Sequence, residues 1–101
     1  SRRWSNSVSR TFVLYNVSAG WTAEPDAAER IQKIFLDHGH NCTLRTFPAG
    51  VDLTALTAEL VREGAERIVA AGGDGTLRAV AQALAGTGIP MGVLPVGTLN
   101  H

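Results

Sequence analysis

Short apolar runs alternate with amphipathic stretches along this chain. Residues 11–16 (TFVLYN), rich in aromatic and β-branched types, predict a strand. Residues 42–47 (CTLRTF) alternate polar and apolar and predict a second, partly exposed strand. Residues 67–71 (RIVAA) and 91–94 (MGVL) predict a third and a fourth. Strands one, three and four are almost continuously apolar, the pattern of a parallel sheet covered on both faces.

The segments between them carry helical spacing. Residues 25–38 place Ala27, Ile31, Ile34, Phe35 and His38 on one face, with Pro25 suited to the first turn and Gly39 to the stop. Asp52 predicts an N-cap for a helix that presents Leu53, Leu56, Leu60 and Val61 and ends at Gly64. A third helix is expected to start near Thr76, present Leu77, Val80, Ala81 and Leu84, and end at Gly86. The resulting β-α-β-α-β-α-β order predicts right-handed crossovers and an α/β fold: a three-layer α/β/α sandwich around a parallel, Rossmann-like sheet.

The chain has 101 residues, enough for one small domain with a true core. An apolar fraction of 45% and a charged fraction of 18% exclude disorder as the main state. Nine basic and nine acidic residues balance, but Arg2, Arg3 and Arg10 sit in a first decade without an acid. From residue 11 onward six basic residues face nine acidic ones, so no basic nucleic-acid footprint is present. Residues 1–10 read as a solvated arm and 11–101 as the domain. That arm also lacks the apolar run of a signal peptide. Cys42 is the single cysteine, which excludes a disulfide framework and suits a reducing cytoplasm. His38 and His40 have no third ligand nearby in sequence, so no metal site is expected from them. The absence of an initial Met and the stop just after a Gly-containing segment suggest a piece of a longer protein.

In a parallel sheet, ligands bind beyond the carboxyl ends of the strands. Three segments that follow strands there are rich in small polar residues: NVSAG (16–20), GGDGT (72–76) and PVGTLNH (95–101). Glycines in GGDGT allow positive φ and close approach of a ligand to the main chain. Successive N–H groups and the start of the following helix then favour an anion. Thr76 suits a helix cap or a bond to a phosphate oxygen. Asp74 would repel a phosphate, unless it holds Mg²⁺, orients a metal-bound water or positions a donor. A plain tight turn with Asp74 in the left-handed region fits the same residues. Asn16 and Ser18 can donate to phosphate oxygens. Gly97, Thr98 and Asn100 suit nucleotide contacts, although Pro95 also suits the opening of a linker.

AGGDGT at 71–76 after one apolar run, with LPVGTLNH at 94–101 after another, resembles the catalytic domain of diacylglycerol kinases, shared by bacterial lipid kinases and by sphingosine and ceramide kinases. NVSAG at 16–20 resembles the family's first glycine-containing loop, usually Asn-Pro-x-Ser-Gly. The resemblance implies a two-domain enzyme in which this α/β part, of the kind also found in NAD kinases, supplies most of the ATP site. A C-terminal β-rich domain, absent from this chain, would bring lipid-binding surface, acidic metal ligands and the catalytic base. ATP-Mg²⁺ would sit in the cleft between them and its γ-phosphoryl group would pass to a lipid hydroxyl such as that of diacylglycerol. Asn16 and Ser18 would contact phosphates; Gly72, Gly73, Gly75 and Thr76 would form the phosphate loop; Asp74 would support catalysis; Gly97, Thr98 and Asn100 would complete the nucleotide site. The fragment alone would be inactive. The full protein would be cytoplasmic, with peripheral contact to the inner face of the membrane. Three departures stand out: Val17 for the usual Pro, Ser18 one position early, and Arg78-Ala79 where Asn-Glu is common. An NAD kinase or phosphofructokinase, a non-catalytic nucleotide-binding (pseudokinase) domain and a plain interaction domain stay open on these residues.

Overall fold

The computed structural model describes residues 10–16, 25–48 and 50–95. Within them four strands and three helices alternate: β1 (Thr11–Asn16), α1 (Ala27–Asp37), β2 (Thr43–Phe47), α2 (Leu53–Arg62), β3 (Arg67–Gly72), α3 (Asp74–Leu84) and β4 (Met91–Pro95). All strand pairs are parallel and the spatial order is β2-β1-β3-β4. The predicted α/β class and parallel sheet are therefore present.

Side-chain alternation in the two central strands divides the core. Phe12, Leu14, Ile68 and Ala70 face α2 and α3, where Leu53, Leu60, Val80 and Leu84 complete one cluster. Val13, Tyr15, Val69 and Ala71 face the other way and pack with Ala27 and Ile31 of α1. Both faces of β1 and β3 are thus covered, which explains their unbroken apolar sequence. The edge strand β4 differs from expectation: Met91, Gly92 and Leu94 are only half-buried and Val93 is 52% exposed. An apolar run reports side-chain type and cannot report whether a neighbour lies outside it.

The helix ends follow local chemistry. At α2, the Asp52 side chain accepts from the Ala55 N–H at 3.1 Å, and Gly64 at φ +101° reverses the chain after the last turn. At α1, Pro25 lies outside the helix and Asp26 is the N-cap, without a capping side-chain bond. His38 ends α1 rather than joining its buried face; its Nδ1 lies 2.9 Å from the Ile34 carbonyl oxygen. Arg10, the last residue of the expected arm, is held by the fold. Its carbonyl accepts from the Glu66 N–H at 2.9 Å and its guanidinium donates to the Glu63 carbonyl at 3.3 Å.

The route of the chain sets the position of the site. β1 connects to its outer neighbour β2 through α1 on one face. The β2–β3 connection passes β1 through α2 on the other face, and α3 continues on that face to β4. The chain therefore leaves β1 toward one edge of the sheet and β3 toward the other. Between their carboxyl ends lies the topological switch point, where a crevice opens in sheets of this kind.

Candidate functional site

A cleft of about 330 Å³ occupies that position. One wall carries polar groups from the ends of β1 and β3: Asn16, Gly75 and Thr76. The opposite wall comes from the β2–α2 connection and sets apolar Phe47, Pro48 and Val51 beside Gly50 and the Asp52 carboxylate. The first turn of α2 and the second turn of α3, at Thr54 and Ala79, close the inner end.

The β3–α3 junction has unusual economy. Gly72 closes β3, paired in register with Pro95, and α3 begins two residues later at Asp74. Gly73 is the N-cap with extended backbone (φ −88°, ψ −168°), and no side chain caps the helix. The first helical bond runs from the Leu77 N–H to the Gly73 carbonyl at 3.0 Å. The amides of Asp74, Gly75 and Thr76 therefore have no acceptor inside the helix. They point out of its positive end, an arrangement that suits an anion.

Two expectations about this loop are corrected. Gly72, Gly73 and Gly75 do not use positive φ, and no described non-glycine residue has positive φ, so Asp74 is not the left-handed centre of a tight turn. Asp74 is the first residue of α3, exposed, with its carboxylate in the turn where the helix dipole favours an acid. Thr76 neither starts nor caps the helix; it packs back over the end of β3. A Cβ at Gly72 would fall 2.7 Å from both Cβ and Oγ1 of Thr76. At Gly73 and Gly75 the same added atom would meet nothing within 4 Å. The glycines thus split into one forced by packing and two that leave space in front of open amides.

Of the residues singled out from sequence, the fold brings Asn16, Gly75 and Thr76 into one cleft, with Gly72 beneath Thr76. Gly73 and Asp74 adjoin the cleft in the same loop without lining it. Ser18, Gly97, Thr98 and Asn100 lie outside the described residues. Arg78 is exposed, and its neighbour Ala79 lines the cleft. The β2–α2 contribution was not anticipated, because Phe47, Pro48 and Val51 lack the Gly, Ser, Thr and Asn content that marked the other loops. The rule that strands end at the ligand edge applies equally to β2 and pointed there.

Among the described residues, no group of three or more His, Cys, Asp and Glu side chains assembles to hold a metal ion. Mg²⁺ needs less from a protein when phosphates supply most of its ligands: one or two carboxylates are enough. Asp74 adjoins the open amides without lining the cleft, and the Asp52 carboxylate, which lines the opposite wall, accepts from the Ala55 N–H through one of its oxygens. Among the described residues no helix is long and apolar enough to cross a membrane.

The family model of the diacylglycerol kinase catalytic domain matches residues 10–101. A probable lipid kinase YegS-like protein of Cronobacter sakazakii is 33% identical over 97 residues, which are 92% of this chain and 32% of that protein. Another probable lipid kinase YegS-like protein, from Pseudomonas putida, is 51% identical over 57 residues, covering 54% of this chain and 19% of its own length. A diacylglycerol kinase of Mycobacterium tuberculosis is 43% identical over 49 residues, 48% of this chain and 16% of that one. The chain thus spans at most about a third of the length of these curated relatives.

Proposed function

The chain belongs to the diacylglycerol kinase catalytic domain family, and from that premise we propose that it is the ATP-binding portion of a lipid kinase, which moves the γ-phosphoryl group of ATP to a lipid hydroxyl such as that of diacylglycerol. One observation carries the reading: the uncapped start of α3 opens at the switch point, with empty space where side chains at Gly73 and Gly75 would stand. A triphosphate brings the anionic oxygens those amides lack. The apolar wall of Phe47, Pro48 and Val51 gives a purine base a surface away from the phosphates.

In this reading Asn16 and Ser18 donate to phosphate oxygens. Gly73, Gly75 and the amide of Thr76 cradle them, while Gly72 lets Thr76 seat the loop on β3. Gly97, Thr98 and Asn100 complete the nucleotide site. Asp74 supports the metal and phosphate network; Mg²⁺ there would neutralise charge on the transferring group. The lipid acceptor implies peripheral contact of the full protein with a membrane surface on the cytoplasmic side.

The test is a Mg²⁺-ATP titration followed by backbone NMR, with Asp74→Ala alongside. Expected are shifts centred on the amides of residues 73–76 and reaching Asn16, weakened by the substitution when Mg²⁺ is present. Absence of shifts there at saturating ATP in the full-length protein overturns the proposal.

A further inference from the structure

The two walls of the cleft are joined by a bond that no part of the phosphate loop supplies. Thr54 Oγ1, in the first turn of α2, donates to the main-chain carbonyl oxygen of Ala79 in α3 at 3.2 Å. Both residues line the cleft. A helical carbonyl already paired along its own helix keeps a second lone pair, so this bond does not compete with α3. Leu53 of α2 and Val80 of α3 belong to one buried apolar cluster, and Leu56 and Leu77 pack against it. Those contacts hold the helices together and the hydrogen bond, with its preferred length and angle, adds a directional constraint on their relative slide.

The two helices differ in how their first turns are capped. The first turn of α2 is tied by the Asp52 side chain to the Ala55 N–H, and the Asp52 carbonyl accepts from the Leu56 N–H at 3.0 Å. The first turn of α3 has no capping side chain and ends in open amides. The bond therefore ties the capped first turn of α2 to the second turn of α3, next to that uncapped start.

We propose that Thr54 is a positioning residue: through Ala79 it sets the distance between the α3 amides and the β2–α2 wall, and with it the affinity for the nucleotide. The inference rests on the nucleotide reading of the cleft, and the experiment separates the two. Thr54→Val keeps the shape and removes the donor; Thr54→Ser keeps the donor; Thr54→Ala is the fallback if the valine variant does not fold. Each is made in the full-length protein. Dissociation constants for Mg²⁺-ATP are measured by calorimetry, and amide exchange of residues 76–80 is measured without nucleotide, with the β1 amides as reference.

Thr54→Val is expected to weaken Mg²⁺-ATP binding about three- to tenfold and to speed exchange at residues 76–80 by a similar factor, with β1 unchanged. Thr54→Ser is expected to stay within about twofold of the parent in both. Parent-like affinity and exchange in Thr54→Val overturn the inference, as does a serine variant as impaired as the valine one, since the methyl group and not the bond would then matter. A uniform rise in exchange that includes β1 also overturns it, because that is a loss of global stability. If the parent does not bind Mg²⁺-ATP, the nucleotide reading falls, and the nucleotide-free exchange alone decides whether Thr54 positions α3.

Discussion

Gly72 and Gly75 stand three residues apart and answer to opposite constraints. At Gly72 an added methyl group would overlap Thr76 at 2.7 Å, against a side chain seated on the strand. Gly72→Ala is therefore expected to destabilise the fold by about 1–3 kcal/mol, read as a lower urea midpoint. At Gly75, inside the first turn of α3, nothing obstructs a methyl group. There alanine is the better helix former, by up to about 1 kcal/mol. Gly75→Ala is expected to raise stability while weakening Mg²⁺-ATP about tenfold, because the methyl group fills the space in front of the amides. A variant that gains stability and keeps its affinity would remove the reason for a glycine there.

Cys42 offers a residue-scale test of the core beneath α1. Its half-buried side chain packs against the cluster of Val13, Tyr15 and Ile31, and burial pushes the thiol above its usual 9.0. The fold favours the neutral thiol, so its contribution is complete below the unfolded value and declines as pH rises through the folded one. The stability difference between the parent and Cys42→Ala is expected to be flat below about pH 8 and to shrink above about pH 9. Thermal unfolding of both across that range checks it, and a difference that grows with pH contradicts the burial.

At the scale of elements, α2 was legible almost completely from sequence. Asp52 caps it, its apolar face is buried, and Gly64 ends it as the spacing predicts. Asp52→Ala is expected to cost about 1 kcal/mol of unfolding free energy, measured by urea denaturation, since the Ala55 amide loses its acceptor. The start of α3 was less legible. Thr76 has the composition of a cap, but the extended backbone of Gly73 begins the helix and Asp74 enters its first turn, where the dipole favours an acid. Local composition identified the loop, while the helix boundary depended on Thr76 finding a tertiary seat on Gly72. The cleft wall at Pro48 and Val51 was invisible for a related reason: side chains of that kind carry no polar signal, and only the topology places them beside the cleft, where Phe47 is at once core and lining. The exposure of β4 depended on strand order, which apolar patterning does not encode.

At the scale of the whole molecule, the strand order decides how much binding the chain can achieve. Reversal between β1 and β3 gathers Asn16, the α3 amides and the β2–α2 wall at one end of the sheet, on the face that carries α2 and α3. In the proposed reading, a handful of charge-assisted bonds there would contribute ~5–9 kcal/mol, and association alone would cost at least ~4 kcal/mol. A net of about 4 kcal/mol within that range would correspond to a dissociation constant of about 1 mM for Mg²⁺-ATP. Phosphoryl transfer asks for more: the acceptor hydroxyl held in line, water excluded and metal-centred charge placed around the γ-phosphoryl group. Among the described residues no acidic cluster supplies that charge, and the relatives extend well beyond the span matched here. The 101-residue chain by itself is therefore expected to bind Mg²⁺-ATP weakly and to show no steady turnover with diacylglycerol vesicles, while the full-length protein binds at least tenfold more tightly and turns over. Radiolabelled phosphate transfer from the two proteins side by side checks this. Steady turnover by the short chain would mean that these 101 residues contain the whole catalytic apparatus.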